Sequence, residues 1–315
     1  MQEKSAPAAS AEAAARGADE SQATRGFFFA LSAYGLWGVL PLYLKAVAHI
    51  PAHEVLAHRI LWSVPVAGIL LLVLRRTADI RAALRSPRTL AMAALTAGII
   101  ATNWGAYVWA IAADRTVETA LGYYINPLVN ILLGTLLLGE RLNRRQWLAV
   151  ALAACGVALL LGGAITTLWI SLTLALSFGT YGLLRKKVAV GSLPGLTIES
   201  AILLLPASAI CLYFAQLPAG SAFGRELWLT AALMFGGVIT AIPLLLFAIA
   251  ARRMDYSALG FVQFIAPTIV FILGLTVFGE QLQPVQLACF LLIWAALSIF
   301  LYDMWAKARA AKAAA

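Results

Sequence analysis

The sequence predicts an all-α, polytopic membrane protein, with ten transmembrane helices arranged as two inverted five-helix repeats. Three observations lead there. The first is composition: the 315 residues are 62% hydrophobic and 12% charged, with a mean hydropathy of +0.88. A soluble domain carries about twice that share of charge, so the bilayer is the solvent. The second is the placing of Lys and Arg in alternate loops. The third is an internal repeat whose flanking charge changes from one copy to the other.

The spans follow from cuts at charges, prolines and glycines, since about 20 apolar residues cross the hydrocarbon core. The first runs over 27–47, from the aromatic Phe27–Phe29 to just past Lys45. The second, 54–74, stops at Arg75 and Arg76, and the third, 89–112, starts after Arg88. The fourth, 117–138, ends at Gly139-Glu140, and the fifth, 146–162, follows Arg144 and Arg145. Only Gly162–Ala164 separates it from the sixth, 165–184, which stops at Arg185, Lys186 and Lys187. Spans 196–214, 227–250, 256–278 and 284–302 complete the set. With the N-terminus inside, the inside segments hold 19 of the 23 basic residues and the outside loops hold two, Arg115 and Arg225. By the positive-inside rule both termini are expected in the cytoplasm. The net charge of +9 therefore reports topology, and no nucleic-acid partner is expected.

The stretch 120–142, ALGYYINPLVNILLGTLLLGERL, matches 258–282, ALGFVQFIAPTIVFILGLTVFGEQL, with a two-residue insertion. Pro127 and Pro267, Gly134 and Gly274, and the Gly-Glu pairs Gly139-Glu140 and Gly279-Glu280 coincide in order. WAIAADR (109–115) matches FAIAARR (247–253), and YGLWG (34–38) echoes FGTYG (178–182). Five spans per copy is an odd number, so the second copy inverts. GERLNRRQ (139–146) carries three bases and GEQLQPVQ (279–286) none, as inversion requires. The expected organisation is a disordered cytoplasmic tail, 1–25; a first repeat, 26–163; a second, 164–302; and a cytoplasmic C-terminal tail, 303–315. Inverted repeats are a recurrent build of secondary transporters, which bind substrate near the midplane.

Candidate pathway residues are polar or aromatic groups that share a helical face inside a span. Tyr123, Asn126, Pro127 and Asn130 form such a stripe. Two amides on one stripe bond a neighbouring helix or line a wet cavity. Asn103 and Tyr107 lie one turn apart on span three, and Tyr34, Trp37, Pro41 and Lys45 share a face of span one. Tyr181 and Gln263, the latter near Pro267, are the second repeat's contribution. Pro41, Pro127 and Pro267 are candidate helix breaks, because proline frees a carbonyl one turn back.

Glu54, His58 and Arg59 open span two, with Lys45 the other base near a span end. Arg59 could reach the headgroups along its stem. Alternatively, three ionisable groups within six residues face the bundle interior and pair. The preferred expectation is an outer vestibule, where Glu54 and Arg59 fix the helix or bind a polar substrate end and His58 exchanges a proton. Glu118 and Glu199 read as capping or topological groups. Cys155, Cys211 and Cys289 are scattered through apolar runs, giving neither a disulfide framework nor a metal site. Metalloprotease, nucleophile-elbow and phosphate-loop motifs are missing from the sequence. No enzyme activity, cofactor or metal is expected, and the driving force is an ion gradient or solute exchange.

SAYGLWGVLPLYLK (32–45), EVLAHRILWS (54–63), TNWGAYVWAIA (102–112) and ETALGYYINPLVNILLGTLLLGERL (118–142) resemble the RarD family of bacterial inner-membrane, EamA-type carriers in the drug/metabolite transporter superfamily. The resemblance spans all ten segments and is specific in the first half. It implies a ten-helix bundle with a central cavity, and an inner-membrane exporter of small organic metabolites or drugs. The family's chloramphenicol-sensitivity label does not fix a substrate. The reading at this stage is a secondary carrier using alternating access, with a small-molecule substrate and a proton or exchanged solute as coupling partner. A channel, a non-transporting membrane partner or an intramembrane enzyme is the alternative.

Overall fold

The computed structural model describes residues 6–113, 116–160, 168–279 and 281–314. Arg115, the break at Gly162–Ala164 and Glu280 lie outside them, as does the side chain of Glu118. Twelve helices are described: α1 (Ala6–Ala46), α2 (Ala52–Val73), α3 (Thr77–Leu84), α4 (Pro87–Ala112), α5 (Thr116–Leu137), α6 (Arg144–Leu160), α7 (Leu168–Lys187), α8 (Ser192–Gln216), α9 (Leu227–Arg253), α10 (Tyr256–Gln263), α11 (Ile265–Thr276) and α12 (Pro284–Ala314). No strand occurs among the described residues.

Eight stretches are long and apolar enough to cross a membrane: α1 from Gln22, α2, α4, α5, α8, α9, α10 with α11, and α12 as far as Lys307. The 17-residue α6 and the more polar α7 are not among the eight.

Several expected boundaries move, each for a local reason. Helix α1 reaches back to Ala6, so residues 6–25 are helical rather than a disordered tail. Alanine is the best helix former, and a lack of aromatics removes packing, not helicity. The C-terminal tail is likewise helical to Ala314. Helix α8 begins at Ser192 because Pro194 falls in its first turn, where a missing N–H costs nothing. The basic loop after α2 holds the short α3, whose Ala83 is buried against Ala93 and Ile198.

The proline expectation divides. Helices α1 and α5 run unbroken through Pro41 and Pro127. The break occurs only at Phe264, between α10 and α11. Pro267 cannot donate to the Gln263 carbonyl four residues back, and α10 ends at that residue. Helices α5 and α11 are both followed by a glycine in the left-handed region, Gly139 at φ 69° and Gly279 at φ 68°. A side chain at either position would be strained.

The principal packing partners are α6 with α12, α2 with α8 and α9, α5 with α7 and α10, α1 with α9 and α11, and α4 with α7 and α8. In lipid such contacts rest on close fit and interhelical polar bonds. Close fit is extreme between α2 and α9, where a Cβ on Gly237 would collide with the backbone of Trp62.

One end of the bundle gathers α1 at Gly26, α12 at Asp303, the ends of α2, α7 and α9, and the starts of α6, α8 and α10. Gly26 lies against Arg253 and Met254, Lys186 donates to the Met254 carbonyl, and Asn143 donates to Asp303. Asn143 also opens α6 with reciprocal bonds to Gln146, a capping box. The opposite end joins the α1–α2 turn to the α8–α9 loop and to the end of α11.

Candidate functional site

The two halves of the bundle differ in how they treat polar groups. Toward the end that holds the termini, polar side chains are buried and bonded to one another. The Glu199 carboxylate, 3% exposed, accepts from Thr96 Oγ1 at 2.6 Å, Tyr181 OH at 3.1 Å and Arg185 Nη1 at 3.2 Å. Glu199 is therefore the centre of an interhelical network joining α4, α7 and α8, not a cap. Arg185, read only as a topological base, is its ion-pair partner and also donates to the Ser192 carbonyl. Glu140 accepts three bonds at the start of α10, from Tyr256 N at 2.6 Å, Ser257 N at 2.8 Å and Ser257 Oγ at 2.6 Å. A carboxylate suits the positive end of a helix. Nearby, loss of hydration and the Glu140 charge push the Asp255 carboxyl above its ordinary range, while Lys186 and Lys307 pull it back.

Between these latches and the middle of the bundle lies an aromatic cluster. Tyr34 and Trp37 of α1, Phe178 and Tyr181 of α7 and Phe247 of α9 make ring contacts at 5.1–6.3 Å. Tyr34 and Tyr181 are buried, and Trp37 is half-buried. Gln263, at the α10–α11 break, accepts from Asn130 Nδ2 at 2.7 Å and Tyr34 OH at 3.4 Å. Asn103 donates to the Leu174 carbonyl at 2.8 Å and Ser177 Oγ at 2.9 Å. Asn130, Gln263 and Asn103 thus tie helices together. Buried Asn126 keeps its carboxamide oxygen without a partner.

The other half holds a second polar cluster. Arg59 of α2 is half-buried, and its Nε donates to Thr240 Oγ1 of α9 at 3.0 Å. Tyr43 of α1, Tyr107 of α4 and Tyr123 of α5 lie within electrostatic reach of the guanidinium. Tyr107 and Tyr123 meet edge to face at 6.2 Å, and Tyr123 keeps 51% of its surface accessible. Helices α2 and α5 share no extended contact, so Arg59 and Tyr123 are linked by electrostatics and not by packing. Below Thr240 a cleft with room for about one water is lined by Ser63, Trp104, Glu199 and Ser200, among others.

The remaining expected residues divide between the end opposite the termini and the interior. Lys45 lies 4.3 Å over the Phe278 ring. Glu54, 1% exposed, accepts from Ser221 Oγ at 2.5 Å and Ala222 N at 2.7 Å, anchoring the α8–α9 loop. His58 stacks on Phe223 of that loop at 5.0 Å, and neither ring nitrogen has a hydrogen-bond partner. Glu54 and His58 therefore meet the α8–α9 loop, while Arg59 turns to Thr240 of α9. Tyr43, Thr240, Phe223 and Glu140 had drawn no site reading in sequence. Thr240 was the one with a signal, as a hydroxyl alone in the apolar run GGVITAIP (236–243).

Comparison with known proteins places this architecture. The EamA-like transporter family matches residues 24–162. The protein RarD of Streptomyces exfoliatus is 44% identical over 298 residues, covering 93% of each chain. An uncharacterized transporter of Pseudomonas aeruginosa is 43% identical, covering 90% of this chain and 96% of its own. A crystal structure at 19% identity shares the fold, with a TM-score of 0.70 over 87% of this chain and 96% of the other. With identity of this order over nearly the whole length, the chain belongs to the RarD family of EamA-like membrane transporters.

Proposed function

We propose that this protein is a secondary transporter that exports small organic metabolites or drugs across the bacterial inner membrane by alternating access. It has ten spans in two inverted five-helix repeats and both termini in the cytoplasm. The observation that carries the reading is the contrast between the two halves of the bundle. At one end Glu140, the Arg185–Glu199 pair and the aromatic cluster seal the helices together. In the other half Arg59, Tyr107 and Tyr123, from three helices, come within electrostatic reach of one another without such latches. A latched end beside an unlatched polar and aromatic cluster suits a carrier that opens to one side at a time.

The repeat reading draws support from the packing. Exchange α1 with α7, α2 with α8, α4 with α9, α5 with α10–α11, and α6 with α12. The pairs α2–α8, α6–α12 and α5–α10 then map onto themselves. The pair α5–α7 becomes α1–α11, α2–α9 becomes α4–α8, and α1–α9 becomes α4–α7, all of them among the principal contacts. The matched left-handed glycines agree with the same exchange. The basic side chains Arg76, Arg185, Lys186, Arg252 and Arg253 gather at the end that holds the termini, which supports a cytoplasmic assignment. His58, its nitrogens unpartnered, is the candidate for a coupled proton.

The test is solute flux in proteoliposomes over an amino-acid, sugar and drug panel. Saturable uptake accelerated by internal unlabelled solute supports a carrier. Flux without saturation or counterflow points to a channel and overturns the reading.

A further inference from the structure

We propose that Arg59 is an anion receptor and that the transported solutes are organic anions, with a carboxylate the best-fitting head group. The inference rests on the carrier reading of the same residues. A guanidinium inside a membrane bundle is costly and normally pairs with an acid. Among the described residues no carboxylate lies within ion-pair distance of Arg59. Its one hydrogen bond, from Nε to Thr240 Oγ1, fixes the plane of the group and uses none of the four terminal N–H donors. Those donors form the fork that grips a carboxylate with two parallel bonds.

The surroundings fit the same ligand. Tyr43, Tyr107 and Tyr123 surround the guanidinium at electrostatic range. The Tyr43 hydroxyl is engaged with the Ala232 carbonyl at 3.2 Å. Among the described residues the Tyr107 and Tyr123 hydroxyls have no hydrogen-bond partner, so they are available to donate to anionic oxygens. Their rings offer faces and edges to an apolar or aromatic body. The position also explains how a carrier without a nucleotide-binding domain can export: an inside-negative membrane potential drives an anion outward once it is bound. A cationic solute would meet Arg59 as a like charge, and a neutral one would leave its fork unfilled.

Three probes of one size separate these cases: phenylacetate, phenethylamine and 2-phenylethanol, an anion, a cation and a neutral alcohol. Each is titrated against the full-length protein in micelles, with thermal unfolding as readout. Phenylacetate is expected to raise the midpoint and the other two to leave it unchanged. Arg59→Gln should weaken phenylacetate binding by about ten- to a hundredfold, the scale of a hydrogen bond to a charged group, and Arg59→Lys should recover part of it. The ranking of the probes on the unaltered protein stands even if a variant fails to fold. Equal binding of the three, preference for the amine or alcohol, no binding of any, or an Arg59→Gln protein that keeps the anion preference overturns the proposal. Saturable counterflow of a solute without anion preference keeps the carrier and removes the anion receptor. Anion binding without counterflow of any solute does the reverse.

Discussion

Arg185 and Glu199 are 2% and 3% exposed, and removing either leaves the other buried without its partner. Arg185→Met is expected to cost about 3–5 kcal/mol, read as a lower unfolding midpoint in micelles. The double change Arg185→Met with Glu199→Leu should recover most of it, because no charge then remains to be desolvated. Under the α8–α9 loop, neither ring nitrogen of His58 makes a hydrogen bond, and the ring stacks on Phe223. His58→Gln should leave the folded yield close to normal and abolish the dependence of flux on a pH gradient, while exchange at equal pH continues. Unaltered pH-gradient dependence would reduce His58 to a packing group. The stripe Tyr123–Asn126–Asn130 shows how much of the site was legible at this scale. Helical period put the three on one face, but period gives an angle and not the neighbour opposite. Asn130 meets Gln263, whereas Tyr123, two turns away, meets the ring of Tyr107. In the run from Glu54 to Arg59, period likewise left the neighbours unnamed: the first two groups meet the α8–α9 loop and the third meets Thr240 of α9.

Helices were legible where hydrophobic length sets them and less so where a carboxylate or a proline does. The ranges read for spans two, three and four lie within about two residues of α2, α4 and α5, which is ordinary uncertainty for helix ends. The Phe264 break was placed only as far as Pro267, since proline marks a lost bond and tertiary contacts decide whether the helix yields. Here Gln263 supplies those contacts, by bonding Asn130 and Tyr34. The start of α10 depends on Glu140, which sits in a different helix pair and was legible only as one half of a repeated Gly-Glu. Glu140→Ala strips three bonds from that start. It is expected to loosen the closed end, so that a cysteine at Met254, now 6% exposed, reacts several-fold faster with a water-soluble maleimide. Unchanged reactivity would mean that packing alone keeps α10 in place.

For the whole molecule, the distribution of Lys and Arg makes the first prediction. A reporter fused after Lys312 should lie in the cytoplasm, and a cysteine beside Arg225 should be labelled from outside. Protection of the Arg225 loop in intact cells would overturn the orientation and with it the inversion of the second repeat. A potential of 100 mV contributes about 2.3 kcal/mol for each elementary charge moved, close to a fiftyfold concentration ratio for a monovalent anion. The contact of α2 with α9 bears on how such a gradient is used. With Gly237 against the Trp62 backbone, Gly236 against Tyr43 and Arg59, and Arg59 bonded to Thr240, these two helices cannot slide without collision. Whatever else moves, Arg59 and Thr240 travel as one piece, and the grip on a head group is carried across intact rather than taken apart. Half-saturation should then be nearly the same measured from either face of the membrane. A carrier of that kind is kinetically even-handed: it loads as readily from the medium as from the cell, and reversing the gradients should turn an exporter into an importer.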